Sequence, residues 1–540
     1  MSRPTFLVEA SLDSVWTDIT DDVLDRAGLR VTRGIPGSGP TDRVAKPGRM
    51  TFAMNNGAGN SANLAGYYSP GHANLRSGWG HGTYVRLKIT SGVGGSGAFG
   101  SFGPFGSGPF GGDPPTARYV FYGRLIIVEP TPGVYGSAQT NCTAADWMQD
   151  AQDFTDLQLV LSEGERSDEL IASVVALMPN APLATAYDTG SEAYSFAWDD
   201  IASRVSATTA IAKLTRSEGG WCYVKGDTVG GEQLTLENRT RRQSGSALIT
   251  VTAADMRAPG GIEVPSAVNR VFNDVTYRVF PRRLDTANSV LVKFDAEIEV
   301  AAGATVTVWA DYRDVAANEA EFVGGKTMVS PPAINTDFTI NDASGGGGTA
   351  ITSTPGDFTL TVTYFGSVAK IVILNSTGST FYFRGPGSED GAQLRGLGLY
   401  RYSPIAVRVT DASSIATFGR RAIGPVDLNY QTTRANASTQ AALAIQNYSG
   451  LGNVPTKVRL NTAVGSLLQE VLKRDIGDRV TVSEAQTAVD ATDCFINNIE
   501  YELGGGVVWI SWGLAPADPT GAFLLDDATF GVLDTGALGF

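Results

Sequence analysis

Histidine is nearly absent from this 540-residue sequence, with two residues, and cysteine is scarce, with three. Cys142, Cys222 and Cys494 stand far apart and are odd in number, a set that makes neither a disulfide framework nor a zinc site. They read as reduced, buried thiols of a protein folded in a cytoplasm. Long apolar runs are missing too. No stretch of ~18 apolar residues exists, so no membrane helix is expected. The opening MSRPTFLVEA lacks the ~7–15-residue apolar core of an export signal. Positive charge is in deficit, with 41 Lys and Arg against 55 Asp and Glu, a net −14. Stable nucleic-acid binding needs clustered cations to neutralise phosphates, so that class is excluded. An acidic surface does let DNA slide past without sticking.

What the sequence has in quantity is glycine, 64 residues, with Thr and Val throughout and only 18% charged residues. Short β-branched and aromatic runs punctuated by Gly read as many strands joined by turns. The length exceeds what one hydrophobic core supports. The expected fold is multidomain and mainly β, with a β-sandwich and one small α+β domain.

Residues 1–132 read as strands. Tyr84 to Ile89 alternates in character, and Arg118 to Val128 is its expected partner. Between them runs a loop, residues 91–112, in which ten of twenty-two residues are Gly. Four phenylalanines are spaced along it: Phe99, Phe102, Phe105 and Phe110. So much Gly makes self-ordering costly in backbone entropy, and four Phe in water normally mark an interface. These four are the candidate partner contact.

Residues 133–250 read as the small α+β domain. Asp146 precedes a short helix around Trp147, and Ser167-Asp168-Glu169 opens a second that Pro179 stops. A third is expected from Phe196 to Ser217, burying Trp198, Ile201, Val205, Thr208 and Ala212. A hairpin from Trp221 to Glu237 follows. Residues 251–410 read as a β-sandwich, and residues 411–540 as a mixed segment followed by strands. The last part contains a helix from Ala435 to Tyr448 and a hairpin around Gly504–Gly506.

No catalytic, cofactor or metal constellation emerges. His72 and His81 have no Asp or Glu between them and read as polar loop residues. HExxH, GxSxG and paired Cys motifs are absent. The Gly-rich stretch after Ser91 lacks the Lys-Ser/Thr of a phosphate loop. Asp146, Asp150, Asp153 and Asp156 sit at helical spacing and read as a solvated acidic face, because a straight helix splays such ligands away from one calcium ion.

Several phrases resemble minor tail, tail-tip and baseplate-hub proteins of long-tailed bacteriophages. The first group is Trp16-Thr17-Asp18-Ile19-Thr20-Asp21-Asp22, Arg33-Gly34, Pro47-Gly48, Met54-Asn55-Asn56 (Met54 stands where Leu is more usual) and Tyr68-Ser69-Pro70. The second is Ser217-Glu218-Gly219-Gly220-Trp221 with Leu234 to Arg239. The third is Asp411 to Ile415, Gly419-Arg420-Arg421 and Asp475-Ile476-Gly477-Asp478-Arg479-Val480, then Trp512 to Pro516 and Phe523 to Asp534. Their order spans about two-thirds of the chain, with residues 251–410 much weaker and read as an insertion.

The resemblance implies a non-enzymatic virion tail component made and folded in the host bacterial cytoplasm. It implies a homotrimer in which two barrel-like domains per subunit, an N-terminal hub domain over residues 1–132 and a second barrel region with a C-terminal tail over 411–540, make a pseudo-sixfold ring. Such a ring joins the tail-tube or distal tail protein to a tail fibre or spike, meets the tape-measure protein, and allows DNA passage. The competing expectation is an adhesin-like β-sandwich protein that binds carbohydrate at a host surface.

Overall fold

The computed structural model describes residues 4–517, apart from 25–27, 92–115, 134–137, 201–204, 228–229, 244, 267, 316–322, 352–355, 388 and 464. The four loop phenylalanines and the segment 518–540 lie outside the described residues.

Seven strands open the chain: β1 (Thr5–Leu12), β2 (Val15–Asp18), β3 (Leu29–Gly34), β4 (Lys46–Asn55), β5 (Tyr84–Thr90), β6 (Ala117–Thr131) and β7 (Gln139–Ala145). Strict alternation sets their faces: Val85, Leu87 and Ile89 are fully buried while Tyr84, Arg86 and Lys88 stay partly exposed. β5 and β6 pair antiparallel as expected, from Tyr84↔Arg124 to Thr90↔Ala117. At the root of the Gly/Phe loop Ser91 N–H donates to Thr116 O and Thr116 N–H to Ser91 Oγ, both at 2.8 Å.

The α+β unit follows, with α1 (Trp147–Asp153), α2 (Ser167–Ala176), β8 (Thr185–Tyr187), α3 (Ala207–Glu218), β9 (Trp221–Lys225) and β10 (Gln233–Glu237). The three strands form one sheet ordered β9-β10-β8. α3 starts eleven residues later than Phe196, where expected, because Ser206 caps it by accepting from Thr209 N–H. The buried stripe is therefore Ala207, Ala210, Ile211 and Leu214, at i, i+3, i+4 and i+7. Trp198 is 1% exposed outside the helix, at φ +68°.

Next come β11 (Asp274–Val279), β12 (Ile405–Thr410), α4 (Ala412–Phe418), β13 (Ala422–Leu428) and α5 (Arg434–Tyr448). β11 pairs antiparallel with β12 and parallel with β13, so sequence on both sides of residue 410 builds one sheet, packed on α5. The chain between Val279 and Ile405 leaves this pair and returns to it. It forms sheets around a separate core of Leu291, Ile340, Ile371, Ile373, Phe381 and Phe383.

The C-terminal part supplies β14 (Lys457–Leu460), α6 (Gly465–Val471), β15 (Arg479–Glu484), β16 (Val489–Gly504) and β17 (Val507–Pro516). β16 and β17 are the expected hairpin, with Ile499, Tyr501 and Leu503 buried and Glu500 and Glu502 facing out. β3 pairs with both β4 and β16, so the two ends of the described chain share one 13-stranded sheet. Its main path runs open from Ile262–Glu263 to β2, without barrel closure. One core, from Val8 through Trp512, lies against it. The architecture is multidomain and mainly β, with the small α+β unit set between two β regions.

Candidate functional site

The phrases that are scattered in sequence meet in space at a buried ionic junction. Arg33, near the end of β3, sends Nη1 to Asp475 Oδ1 at 2.6 Å and Nη2 to Oδ2 at 3.1 Å. Arg118, at the start of β6, donates to Oδ2 at 2.7 Å. The same carboxylate accepts from the backbone N–H of Gly226 and of Ile476. The Arg33 and Asp475 side chains are only 2% and 3% exposed. Burial alone would push Asp475 up, but Arg33 and Arg118 hold its carboxyl below the usual range. A buried carboxylate is tolerated here because every oxygen has a cationic or N–H partner. The junction ties the N-terminal strands, the α+β unit and the C-terminal region together.

Two glycines permit it. Gly34 has φ +107°, and a Cβ there would lie 2.4 Å from Asn497 O. Gly477 has φ +87°, and a Cβ would lie 2.1 Å from Tyr223 Oη. Positive φ and absent space together require Gly.

A second node lies beside the first. Glu237 accepts from Tyr223 Oη at 2.6 Å and from Arg242 Nε at 2.7 Å, while Arg242 Nη1 donates to Asn497 Oδ1 at 2.8 Å. Trp221 carries two guanidiniums, Arg43 at 4.4 Å and Arg242 at 4.2 Å from its ring centre. An open cleft of about 800 Å³ lies over these residues, reaching Tyr448, Phe495 and Pro516. Its arginines are committed: Arg242 to Glu237, Arg239 to Glu192, and Arg43 to the carbonyls of Pro40 and Gly219. At the small domain's far side, Arg282 forms a bidentate pair with Asp199, 2.8 and 2.9 Å, nearly fully buried.

The first phrase group also closes on itself. Asp22, 3% exposed, accepts from Tyr68 Oη, Ser61 N–H and Ser61 Oγ.

The acidic run does not form the solvated face expected of it. Asp153 and Asp156 are exposed, but Asp146 is 4% exposed, caps α1 through Met148 N–H, and Asp150 pairs with Arg124. The helix N-terminus draws carboxylates inward because its first N–H groups have no intrahelical acceptor. Glu232 joins this end, accepting from Trp147 and Leu183 N–H at 3.1 Å each. Burial pushes Asp146 up to about 7 and Glu232 to about 8. Such values resemble those of catalytic acids, but these oxygens are engaged by backbone donors at a helix end, a structural arrangement.

His72 and His81 are exposed, and His72 Nδ1 accepts from Asn74 N–H. The three thiols are buried and free, each pushed up to about 12 by burial. Among the described residues no group of three or more His, Cys, Asp or Glu is placed to hold a metal ion. None of their helices is long and apolar enough to cross a membrane.

No family model matches the chain, and no curated protein does. Three solved structures are similar in backbone trace. A 43 kDa tail protein of prophage MuSo2 from Shewanella oneidensis matches at TM-score 0.45 and 10% identity, over 95% of this chain and 99% of that one. A tail protein from Neisseria meningitidis MC58 matches at 0.45 and 10%, over 94% and 96%. Prophage tail protein gp18 from Listeria monocytogenes EGD-e matches at 0.40 and 9%, over 94% of each. No residue role follows from likenesses of this degree.

Proposed function

We propose that this chain is a non-enzymatic baseplate-hub subunit of a phage-type tail tip, three copies of which close into a ring. The observation that carries this reading is the junction. Arg33-Gly34, Trp221, Glu237 and Asp475-Ile476-Gly477, drawn from all three groups of tail-like phrases, meet at two adjoining buried ionic nodes. Their role is to fasten both ends of the chain and the α+β unit into one body, which is what a load-transmitting ring subunit needs. The sheet also leaves short edge strands, β2 with Val15 65% exposed among them, and a ring covers such edges.

In this reading the ring joins the tail tube or distal tail protein to a fibre or spike, meets the tape-measure protein, and passes DNA through an acid-lined channel. Phe99, Phe102, Phe105 and Phe110 are assigned to contact with a neighbouring subunit or threading partner. Negative-stain imaging of the purified chain, alone and with its tail-tube partner, tests the reading. Class averages with a central hole and pseudo-sixfold outline support it, and isolated single subunits in both samples reject it.

A further inference from the structure

The chain between Val279 and Ile405 carries one sheet with an exposed face. The strands Thr305–Asp311, Val368–Asn375 and Phe358–Tyr364 form a three-stranded sheet with the Val368–Asn375 strand in the middle. One face buries Ala310, Ala369, Ile371 and Ile373 in the sandwich core. Register sets the other face in three rows: Trp309–Lys370–Thr363, Thr307–Val372–Thr361 and Thr305–Leu374–Thr359. Asp311 follows Trp309 on the same face by alternation.

Three features of this face stand together. Trp309, 39% exposed, stacks against Phe365, with ring centres 5.9 Å apart at 25°. The five threonine hydroxyls and the Asp311 carboxylate make no hydrogen bond or ion pair with other described residues. Among the described residues Lys370 has no carboxylate partner, and it rests 5.5 Å from the Trp309 ring centre. Five hydroxyls and one carboxylate without a hydrogen-bond partner among the described residues therefore surround the Trp309–Phe365 pair, and one Asp against one Lys leaves the face neutral.

We propose that this face binds a neutral glycan chain. The apolar C–H face of a sugar ring stacks on an aromatic ring, and its hydroxyls need dense small donors and acceptors beside it. Trp309 and Phe365 supply the first and the threonine rows with Asp311 and Lys370 supply the second. A nucleic acid or other polyanion would require more than one cation here. A protein interface would require a contiguous apolar centre that excludes water, whereas threonines flank Val372 and Leu374 on both sides. The proposal does not depend on assembly into a ring.

The test is affinity electrophoresis of the full chain through gels cast with dextran, mixed-linkage β-glucan, galactomannan or xylan. The expected result is retardation by at least one of the four, with affinity reduced about tenfold or more in Trp309→Ala by loss of the stacking partner. Asp311→Asn, at an exposed strand position, reads the same site without removing a ring and is expected to weaken the same interaction. Absence of retardation in all four gels overturns the proposal, as does retardation that neither change alters. Loss of self-association in Trp309→Ala, with no glycan effect, assigns the face to protein contact and likewise overturns it.

Discussion

Arg33 and Asp475 are 442 residues apart in sequence and form a bidentate ion pair with both side chains almost wholly buried. Neither group is stable in that position alone. Arg118 and the Gly226 N–H complete the carboxylate's partners, so one aspartate serves three parts of the chain.

Removing one partner should be severe. Asp475→Asn leaves Arg33 buried with a neutral amide and is expected to cost about 3–5 kcal/mol, the range for breaking a buried pair. The double change Arg33→Met with Asp475→Leu should cost less than the sum of the two single changes. Denaturant unfolding of the four proteins measures the coupling.

The glycines at the junction carry a separate expectation. Gly477→Ala places a methyl group against Tyr223 Oη and Glu237 Oε1 at a positive φ. A loss of more than about 1 kcal/mol in unfolding free energy is expected, whereas Gly71→Ala, with positive φ but open space, should cost less. Equal effects at the two positions would show that φ alone decides.

Stability should depend on pH through Glu232 and Asp146. Their folded-state pKa values are raised, from 4.5 to about 8 and from 3.8 to about 7, so the folded chain retains protons that the unfolded chain has released. The stability they contribute is fully present below the unfolded values and is lost as pH rises toward 8, at up to about 1.4 kcal/mol per pH unit for each proton. Asp475 acts in the opposite sense: its lowered pKa contributes stability that disappears as pH falls below the ordinary carboxylate range. Glu232→Gln should therefore flatten the decline between pH 5 and 8 while leaving the acid limb intact. Unfolding midpoints across pH 3 to 9 check both limbs.

Deleting residues 92–111 should leave the melting temperature of the isolated subunit nearly unchanged, because Thr90↔Ala117 and the Ser91–Thr116 hydrogen bonds already close the strand pair. Ring or tail assembly should weaken, since burying each Phe on a partner contributes roughly 1.5–3 kcal/mol. Thermal melting and assembly yield, compared on one preparation, separate the two effects.

Local pattern explains what was legible in the sequence. Val85, Leu87 and Ile89 alternate with polar residues, and the strand is where that alternation places it. The helix expected from Ala435 begins at Arg434, because its Ala and Gln content and the following Gly450 leave little choice. Trp198 misled the periodicity of α3, since a large buried aromatic fits a helical stripe equally well when a loop buries it. The acidic run departs from the expected solvated face although Asp146 is legible as opening the helix around Trp147, because the Arg124 that draws Asp150 in and the Glu232 that joins the helix end come from distant sequence. Arg33-Gly34 and Asp475 to Gly477 stand out in the sequence only as short tail-like phrases, and nothing in them shows that they pair. Arg33, Asp475 and Tyr501 each sit in ordinary strand or loop sequence, and only the pairing of β3 with β16 brings them together.

The measurement closest to the central claim is the mass of the purified chain in solution, by light scattering, alone and with its tail-tube partner. The account predicts a species of three subunits, formed alone or on addition of the partner. A 56.7 kDa species alone in both samples would contradict it.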